Sequence, residues 1–198
     1  MYQRILRLGP YSRPDPRIGI GLCQWQLGNK DRAKAAWQRS LQLVRTTYYC
    51  FLFLSRIQDG NQWAAELLLG VEALNASKDA KATEHQRSAS YAVGSKHIER
   101  AFNANQKNAA AANCLAEYFI RRGDAKKALK LSERAIQYAD TLAVVQEGRL
   151  RAARVAHMER RYDDAITQYN LAKSLSLASI GMAQIHILKG EPFHHWVV

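Results

Sequence analysis

The sequence predicts an all-α protein, a solenoid of helical hairpins stacked side by side. The composition favours helix, since Ala, Leu, Lys, Arg, Gln and Glu dominate the 198 residues and only four prolines interrupt them. The stretch RGDAKKALKLSERAIQYAD (122–140) is followed by a similar one, RRYDDAITQYNLAKSLS (160–176). Small residues also recur at repeat spacing, at Ala101, Ala135 and Ala172. A repeated hairpin cannot bury its apolar face alone, so the pattern predicts a stack.

Small and aromatic residues at fixed positions predict how each hairpin packs. Small side chains let the first helix approach the second closely. Gly28 and Gly123 are predicted to end first helices, because glycine adopts positive φ without strain. Trp37 and Tyr169 are predicted to fill the space towards the next hairpin. The complete packing signature consists of Gly21, Gly28, Ala33, Trp37, Gly70, Ala101, Ala116, Gly123, Ala128, Ala135, Ala153, Ala165, Tyr169 and Ala172.

The repeats divide the chain, predicted to be one array over 1–198, into seven segments. They are a partial helix at 2–10, a repeat at 15–43, an irregular segment at 44–63, a repeat at 64–107 with an insertion at 75–90, repeats at 109–140 and 144–177, and half a repeat at 179–191. The insertion, rich in polar residues, is predicted to be an extended loop or an elongated first helix.

The irregular segment, VRTTYYCFLFLSRIQDGNQW (44–63), lacks a helical period and has two interpretations. One is an extra helix or strand packed on the array. The other is a translated intron, since the codons for Val44-Arg45 can form a splice donor and those for FLFLS a pyrimidine tract. PFHHWVV (192–198) leaves the repeat pattern equally abruptly, and a translated intron is an interpretation of this segment too.

Charge and cysteine content limit the class of protein. Lysine and arginine number 29 against 17 acidic residues, a net charge of +12. This excess suits nucleic acid, anionic membranes or acidic protein segments, although scattered basic residues also solvate helices. Three cysteines far apart do not form a disulfide framework, which favours a reducing compartment. Without an apolar leader or an apolar run of about 20 residues, a soluble intracellular protein is expected, with no membrane partner.

The chain offers little for catalysis or cofactor binding. His194-His195 has no neighbouring ligand at metal-binding spacing. Cys23 and Cys114 lie among apolar residues of predicted helices, where cysteine serves as a small hydrophobe. The glycines of GIG (19–21) lie in a helical pattern with no preceding strand, so they predict packing and not a phosphate loop. We therefore expect no enzyme activity, no cofactor and no metal.

The order of small and large residues resembles the tetratricopeptide repeat (TPR), a right-handed superhelical solenoid. Four segments carry a narrower resemblance: DPRIGIGLCQWQLGNKDRAKAAWQRSLQL (15–43), AELLLGVEAL (65–74), YDDAITQYNLAKSLS (162–176) and IGMAQIHILKGE (180–191). Together they are similar to the TPR scaffold subunit of the polymerase-associated factor (PAF) complex, most of all in fungi. Proteins of that family are much longer, so the resemblance implies an internal fragment.

The resemblance implies a non-catalytic scaffold that binds other PAF-complex subunits and, through them, RNA polymerase II. It also implies a nuclear address and roles in transcription elongation and co-transcriptional histone modification. First helices line the groove of such a solenoid, and phosphoprotein or acidic segments are among the candidate ligands. The groove candidates are Trp25, Gln26, Asn113, Glu117, Arg121, Arg154 and His157.

Two other functions remain open from the sequence. One is a TPR adaptor for unrelated cytosolic complexes. A chaperone-binding clamp is not expected, because its lysine and asparagine positions are occupied by Ile18/Leu22, Asn113/Glu117 and Leu150/Arg154. The other is a basic nucleic-acid-binding repeat, which is disfavoured because RLRAAR (149–154) has no interleaved aromatic residues for base stacking.

Overall fold

The computed structural model describes residues 1–9, 12, 15–50, 62–172 and 174–190, without the side chains of 44–50. Within these residues every regular element is a helix, so the predicted all-α class is confirmed. The helices are α1 (Tyr2–Leu8), α2 (Pro16–Gln26), α3 (Lys30–Cys50), α4 (Gln62–Ala76), α5 (Glu84–Ala104), α6 (Ala109–Arg121), α7 (Ala125–Gln137), α8 (Leu142–Met158), α9 (Tyr162–Leu171) and α10 (Ser176–Lys189).

Side-chain caps begin many of these helices. Asp15 caps α2 by accepting the backbone N–H of Arg17 at 2.9 Å, and Pro16 supplies a helical φ at the first position. Asn108, Asp124 and Thr141 cap α6, α7 and α8 in the same way. The sequence therefore encodes these starts locally.

The structure differs from the predicted insertion at 75–90. Thr83 and Gln86 form a reciprocal capping box, in which the Thr83 N–H donates to Gln86 Oε1 at 2.9 Å. This cap starts α5 at Glu84, so the second half of the insertion is helix. The segment is thus a short connection and an elongated second helix, instead of an extended loop or an elongated first helix.

The turns inside three hairpins share one backbone conformation. Gly28 follows α2 with φ of +80°, and Gly123 follows α6 with φ of +75°. Arg160 occupies the equivalent position after α8 with φ of +60°. An L-residue other than glycine is strained in this left-handed region, so the third turn costs folding energy that the first two avoid.

The chain separates into two compact units, Met1–Asn105 and Gln106–Val198. In the first unit α2 pairs with α3 and α4 with α5, and α3 also packs on α4. Ala33 and Trp37 of α3 form a buried cluster with Ala65 and Leu69 of α4. This core joins the two hairpins within the unit.

In the second unit α6 pairs with α7 and α8 with α9, while α8 also contacts α6, α7 and α10. Ile120, Ala128 and Val155 form one buried cluster. Another surrounds Tyr169, whose ring lies against Gly181 of α10. Because α8 contributes to both clusters, it is the central helix of this unit.

The irregular segment predicted at 44–63 is partly helical. The helix α3 continues to Cys50, and α4 already begins at Gln62. Residues 51–61 and 192–198 lie outside the described part, so the two interpretations of 44–63 and the intron interpretation of 192–198 stay open. Among the described helices, none is both long enough and apolar enough to cross a membrane.

Candidate partner-binding surface

Four charged residues meet where the first helices α6 and α8 lie side by side. We call Arg121, Arg151, Arg154 and Glu117 the arginine cluster. Arg154 Nη1 donates a hydrogen bond to Glu117 Oε2. Arg151 Nε lies 4.0 Å from the same oxygen, and Arg121 Nε lies 3.5 Å from Oε1. Three guanidinium groups thus converge on one carboxylate.

The electrostatics of Glu117 reflect this arrangement. Burial alone would raise the pKa of Glu117, but the charges of Arg154, Arg151 and Arg121 and the Arg154 hydrogen bond hold this pKa below its ordinary value. Arg151 also contacts Glu147, with Nη1 3.4 Å from Oε2 and 2.9 Å from the backbone oxygen. The three arginines and two glutamates leave a net positive charge.

The structure brings Glu117, Arg121 and Arg154 of the predicted groove residues together, and adds Arg151. The sequence carried a signal for Arg151, because it lies one helical turn before Arg154 and therefore on the same face of α8. Its ion pair with Glu117 depended on how α6 and α8 are juxtaposed, which the sequence pattern did not specify.

Asn113 lies inside the second unit and not on its surface. Only 1% of the residue is exposed, and Nδ2 donates to the Val144 backbone oxygen at 3.1 Å. The Asn113 side chain faces α8 near Gly148, where α6 and α8 approach each other closely. This burial corrects the expectation that Asn113 faces a partner.

His157 contributes to the packing of α8 on α9. Its Nδ1 lies 3.4 Å from the Tyr169 hydroxyl oxygen, and its ring meets the rings of Tyr162 and Tyr169 edge to face. Burial lowers the pKa of His157 and raises the pKa of Tyr169. The imidazole is therefore half-buried within the α8–α9 hairpin. It lies three residues after Arg154 of the arginine cluster in the sequence.

Trp25 and Gln26 lie at the end of α2 in the first unit. The Trp25 ring is half-buried, with its centroid 5.9 Å from that of Trp37. Lys30 Nζ lies 5.7 Å from the Trp25 ring centroid, a cation–π distance. Gln26 is exposed. These residues form a surface of the first unit, whereas the arginine cluster lies in the second unit.

The sequence did not predict a cleft of about 300 Å³ between α7, α8 and α9. Leu129, Ala152 and Ala156 contribute apolar surface to it. Arg149 lies at its edge and donates from Nη1 to Gln168 Oε1 at 3.2 Å. Residues from three helices line this cleft, so no single stretch of the sequence predicts it.

The described residues contain no group of three or more histidine, cysteine, aspartate or glutamate side chains that could hold a metal ion. Cys23 is exposed and Cys114 is half-buried. The His194-His195 pair lies outside the described residues. The part of the chain described by the structure therefore offers surfaces for binding and no assembled metal site.

No family model matches the chain, but it is similar to known proteins over nearly its whole length. It is 28% identical over 200 residues to tetratricopeptide repeat protein 1 of Schizosaccharomyces pombe, covering 96% of this chain and 17% of the relative. The RNA polymerase-associated protein CTR9 of Caenorhabditis elegans is 24% identical, covering 96% of this chain and 15% of the relative.

A shorter match has a higher sequence identity. The RNA polymerase-associated protein CTR9 of Saccharomyces cerevisiae is 54% identical over 43 residues, 22% of this chain and 4% of the relative. The chain thus spans less than a fifth of the length of each of these relatives. Because two matches extend over nearly the whole chain, they confirm the resemblance read from its motifs: the chain is similar to a tetratricopeptide repeat protein and to proteins named CTR9.

Proposed function

We propose that this chain is a non-catalytic protein-binding scaffold of a PAF-type complex associated with RNA polymerase II. The observation that carries the proposal is its similarity to two proteins named as RNA polymerase-associated, one matched over 96% of this chain and the other at 54% identity over 43 residues. In this function the chain binds other subunits of the complex and reaches the polymerase through them. It works in the nucleus and supports transcription elongation and co-transcriptional histone modification.

The structure supports a binding function through surfaces carried on rigid helices. The arginine cluster lies on α6 and α8, and both helices are anchored by buried residues such as Ile120 and Val155. Side chains held in this way lose little conformational freedom when a partner binds, which favours affinity. Arginine is also suited to an interface because it combines a large contact area with several hydrogen-bond donors.

The experiment that tests the proposal is purification of the tagged endogenous protein followed by mass spectrometry. Recovery of PAF-complex subunits and RNA polymerase II is the expected result. Recovery of unrelated cytosolic proteins would instead support a generic TPR adaptor. Recovery of nucleic acid without these subunits would support a basic nucleic-acid-binding repeat, and either of these two results would overturn the proposed function.

Reciprocal purification makes the test sharper. A tagged RNA polymerase II subunit should recover this protein after nuclease treatment, because a scaffold is held by protein contacts. If the association disappears when nucleic acid is digested, the protein is bound to the template or transcript instead of to the complex. Salt sensitivity gives an independent reading, since binding to phosphates weakens steeply as salt rises.

A further inference from the structure

We propose that the arginine cluster on α6 and α8 binds an acidic protein segment, one that carries spaced aspartate or glutamate side chains. The inference rests on the proposed scaffold function and specifies the chemistry of one partner. It places the bound carboxylates against Arg121 and Arg154, with Arg151 behind them.

The charges within the cluster favour an additional anion. Its three guanidinium groups face the carboxylates of Glu117 and Glu147, so the five side chains together carry a net charge of +1. Arg121 and Arg154 are accessible, with 51% and 35% of their side chains exposed, whereas Arg151 is 16% exposed. A guanidinium group presents five N–H donors in a planar fork, which suits two-point contact with a carboxylate.

Glu117 holds the guanidinium groups in place before a partner arrives. Its two oxygens contact Arg121 and Arg154 on different helices. The cost of ordering two long side chains is therefore met on folding and not on binding. The depressed pKa of Glu117 agrees with this geometry, because it shows that the positive potential outweighs the effect of burial.

The same surface is poorly suited to nucleic acid. Binding of single strands uses aromatic rings interleaved with basic residues. On α8 the stretch from Glu147 to Arg154 contains no aromatic residue, and on α6 the rings of Tyr118 and Phe119 pack against each other edge to face. A continuous row of phosphates would also pass the carboxylates of Glu117 and Glu147, whereas a protein segment can place neutral residues beside them. The geometry therefore favours spaced carboxylates on a polypeptide.

The test measures binding of a short fluorescein-labelled peptide of alternating glutamate and serine to the full chain by fluorescence anisotropy, at physiological salt. The double variant Arg121→Gln/Arg154→Gln should weaken binding about tenfold, the effect of losing charge-assisted hydrogen bonds. The matched control is Lys126→Gln/Lys130→Gln, which removes the same charge from exposed positions of α7. It should change binding by less than about twofold.

The outcomes distinguish the site from general attraction to a basic protein. Equal losses in the arginine and lysine variants would overturn the proposal, because the peptide would then respond only to net charge. A polyuridine oligonucleotide that binds more tightly than the peptide, and depends on the same arginines, would also overturn it. A selective loss in the arginine variant, together with weaker oligonucleotide binding, supports it.

A second variant keeps the test decisive if the double variant unfolds, which circular dichroism will show. Arg121→Gln alone leaves the Glu117–Arg154 contact intact and lies at the exposed end of α6. It should weaken peptide binding about threefold, and unchanged binding would refute the proposal. Failure of peptide binding does not affect co-purification with PAF-complex subunits, so this inference and the proposed function fail separately.

Discussion

Gly21 and Gly19 lie on the same helix, yet only the replacement of Gly21 by alanine should lower stability. A methyl group on Gly21 would lie 2.1 Å from Trp37 Nε1 and 2.6 Å from Cδ1. Trp37 is only 1% exposed and its Nε1 donates to the Ile18 backbone oxygen at 3.4 Å. The ring therefore cannot move aside without disturbing the core.

The magnitude follows from two opposing contributions. Alanine favours a helix interior over glycine by about 1 kcal/mol. Overpacking against a buried side chain costs about 1–3 kcal/mol, and loss of the indole hydrogen bond adds about 1 kcal/mol. For Gly21→Ala the cost is larger, and the free energy of unfolding should fall by about 1–3 kcal/mol.

Gly19→Ala is the matched control. The nearest atoms to its new methyl group belong to the Tyr2 ring, at 2.5–2.8 Å. Tyr2 lies on the short helix α1 and is 45% exposed, so its ring can rotate into solvent. Helix propensity then decides the outcome, and Gly19→Ala should leave stability unchanged or raise it by up to about 1 kcal/mol.

The assay is urea denaturation followed by far-ultraviolet circular dichroism, which does not depend on the fluorescence of Trp37. A third measurement places Gly21→Ala in a Trp37→Phe background, where the atom nearest the new methyl group is removed. The cost of Gly21→Ala should shrink there, because the two positions are coupled. The reasoning is wrong if Gly21→Ala is as stable as the wild type, or if its cost is the same in both backgrounds.

The remaining predictions concern caps, turns and pH. Asp15→Ala should lower the free energy of unfolding by about 1–2 kcal/mol, because it removes the α2 cap and the 2.6 Å hydrogen bond from Ser40 Oγ. Thermal unfolding measures this, and an unchanged midpoint would exclude the capping role. Arg160→Gly should stabilise the chain by about 0.5–1 kcal/mol by relieving positive φ, whereas Gly123→Ala should destabilise it by about 1 kcal/mol. Urea midpoints moving in the same direction would contradict the shared turn conformation. Glu117 has a folded pKa below its ordinary 4.5, so its stabilisation is complete above pH 4.5 and is lost as pH falls through the folded pKa. Relative to wild type, Glu117→Gln should lose about 1 kcal/mol at neutral pH, and the difference should shrink in acid. A pH-independent difference in denaturation curves would argue against the ion pairs.

The sequence alone determined the helical class and many of the helix boundaries. Asp15, Asn108 and Asp124 act on backbone groups within three residues of themselves, so their effect can be read from the local sequence. Gly28 and Gly123 likewise mark turns whose positive φ is a property of the glycine itself. Local chemistry suffices for such features.

Other helix boundaries were not predicted from the sequence pattern. The Thr83–Gln86 capping box lies within a polar stretch, so the low hydrophobicity of that stretch obscured the start of α5. The left-handed turn at Arg160 contains no glycine, so the sequence did not predict it. The packing of α8 on α9 holds this strained residue in place.

The candidate surface depended most on tertiary structure. The sequence indicated that Glu117 and Arg154 lie on first helices, but only the packing of α6 on α8 brought them into contact. The same packing buried Asn113 and recruited Arg151 to the surface. Caps and turns are decided by neighbours along the chain, whereas an ion pair between helices requires the exact rotation and spacing of both, which is set by the buried side chains between them.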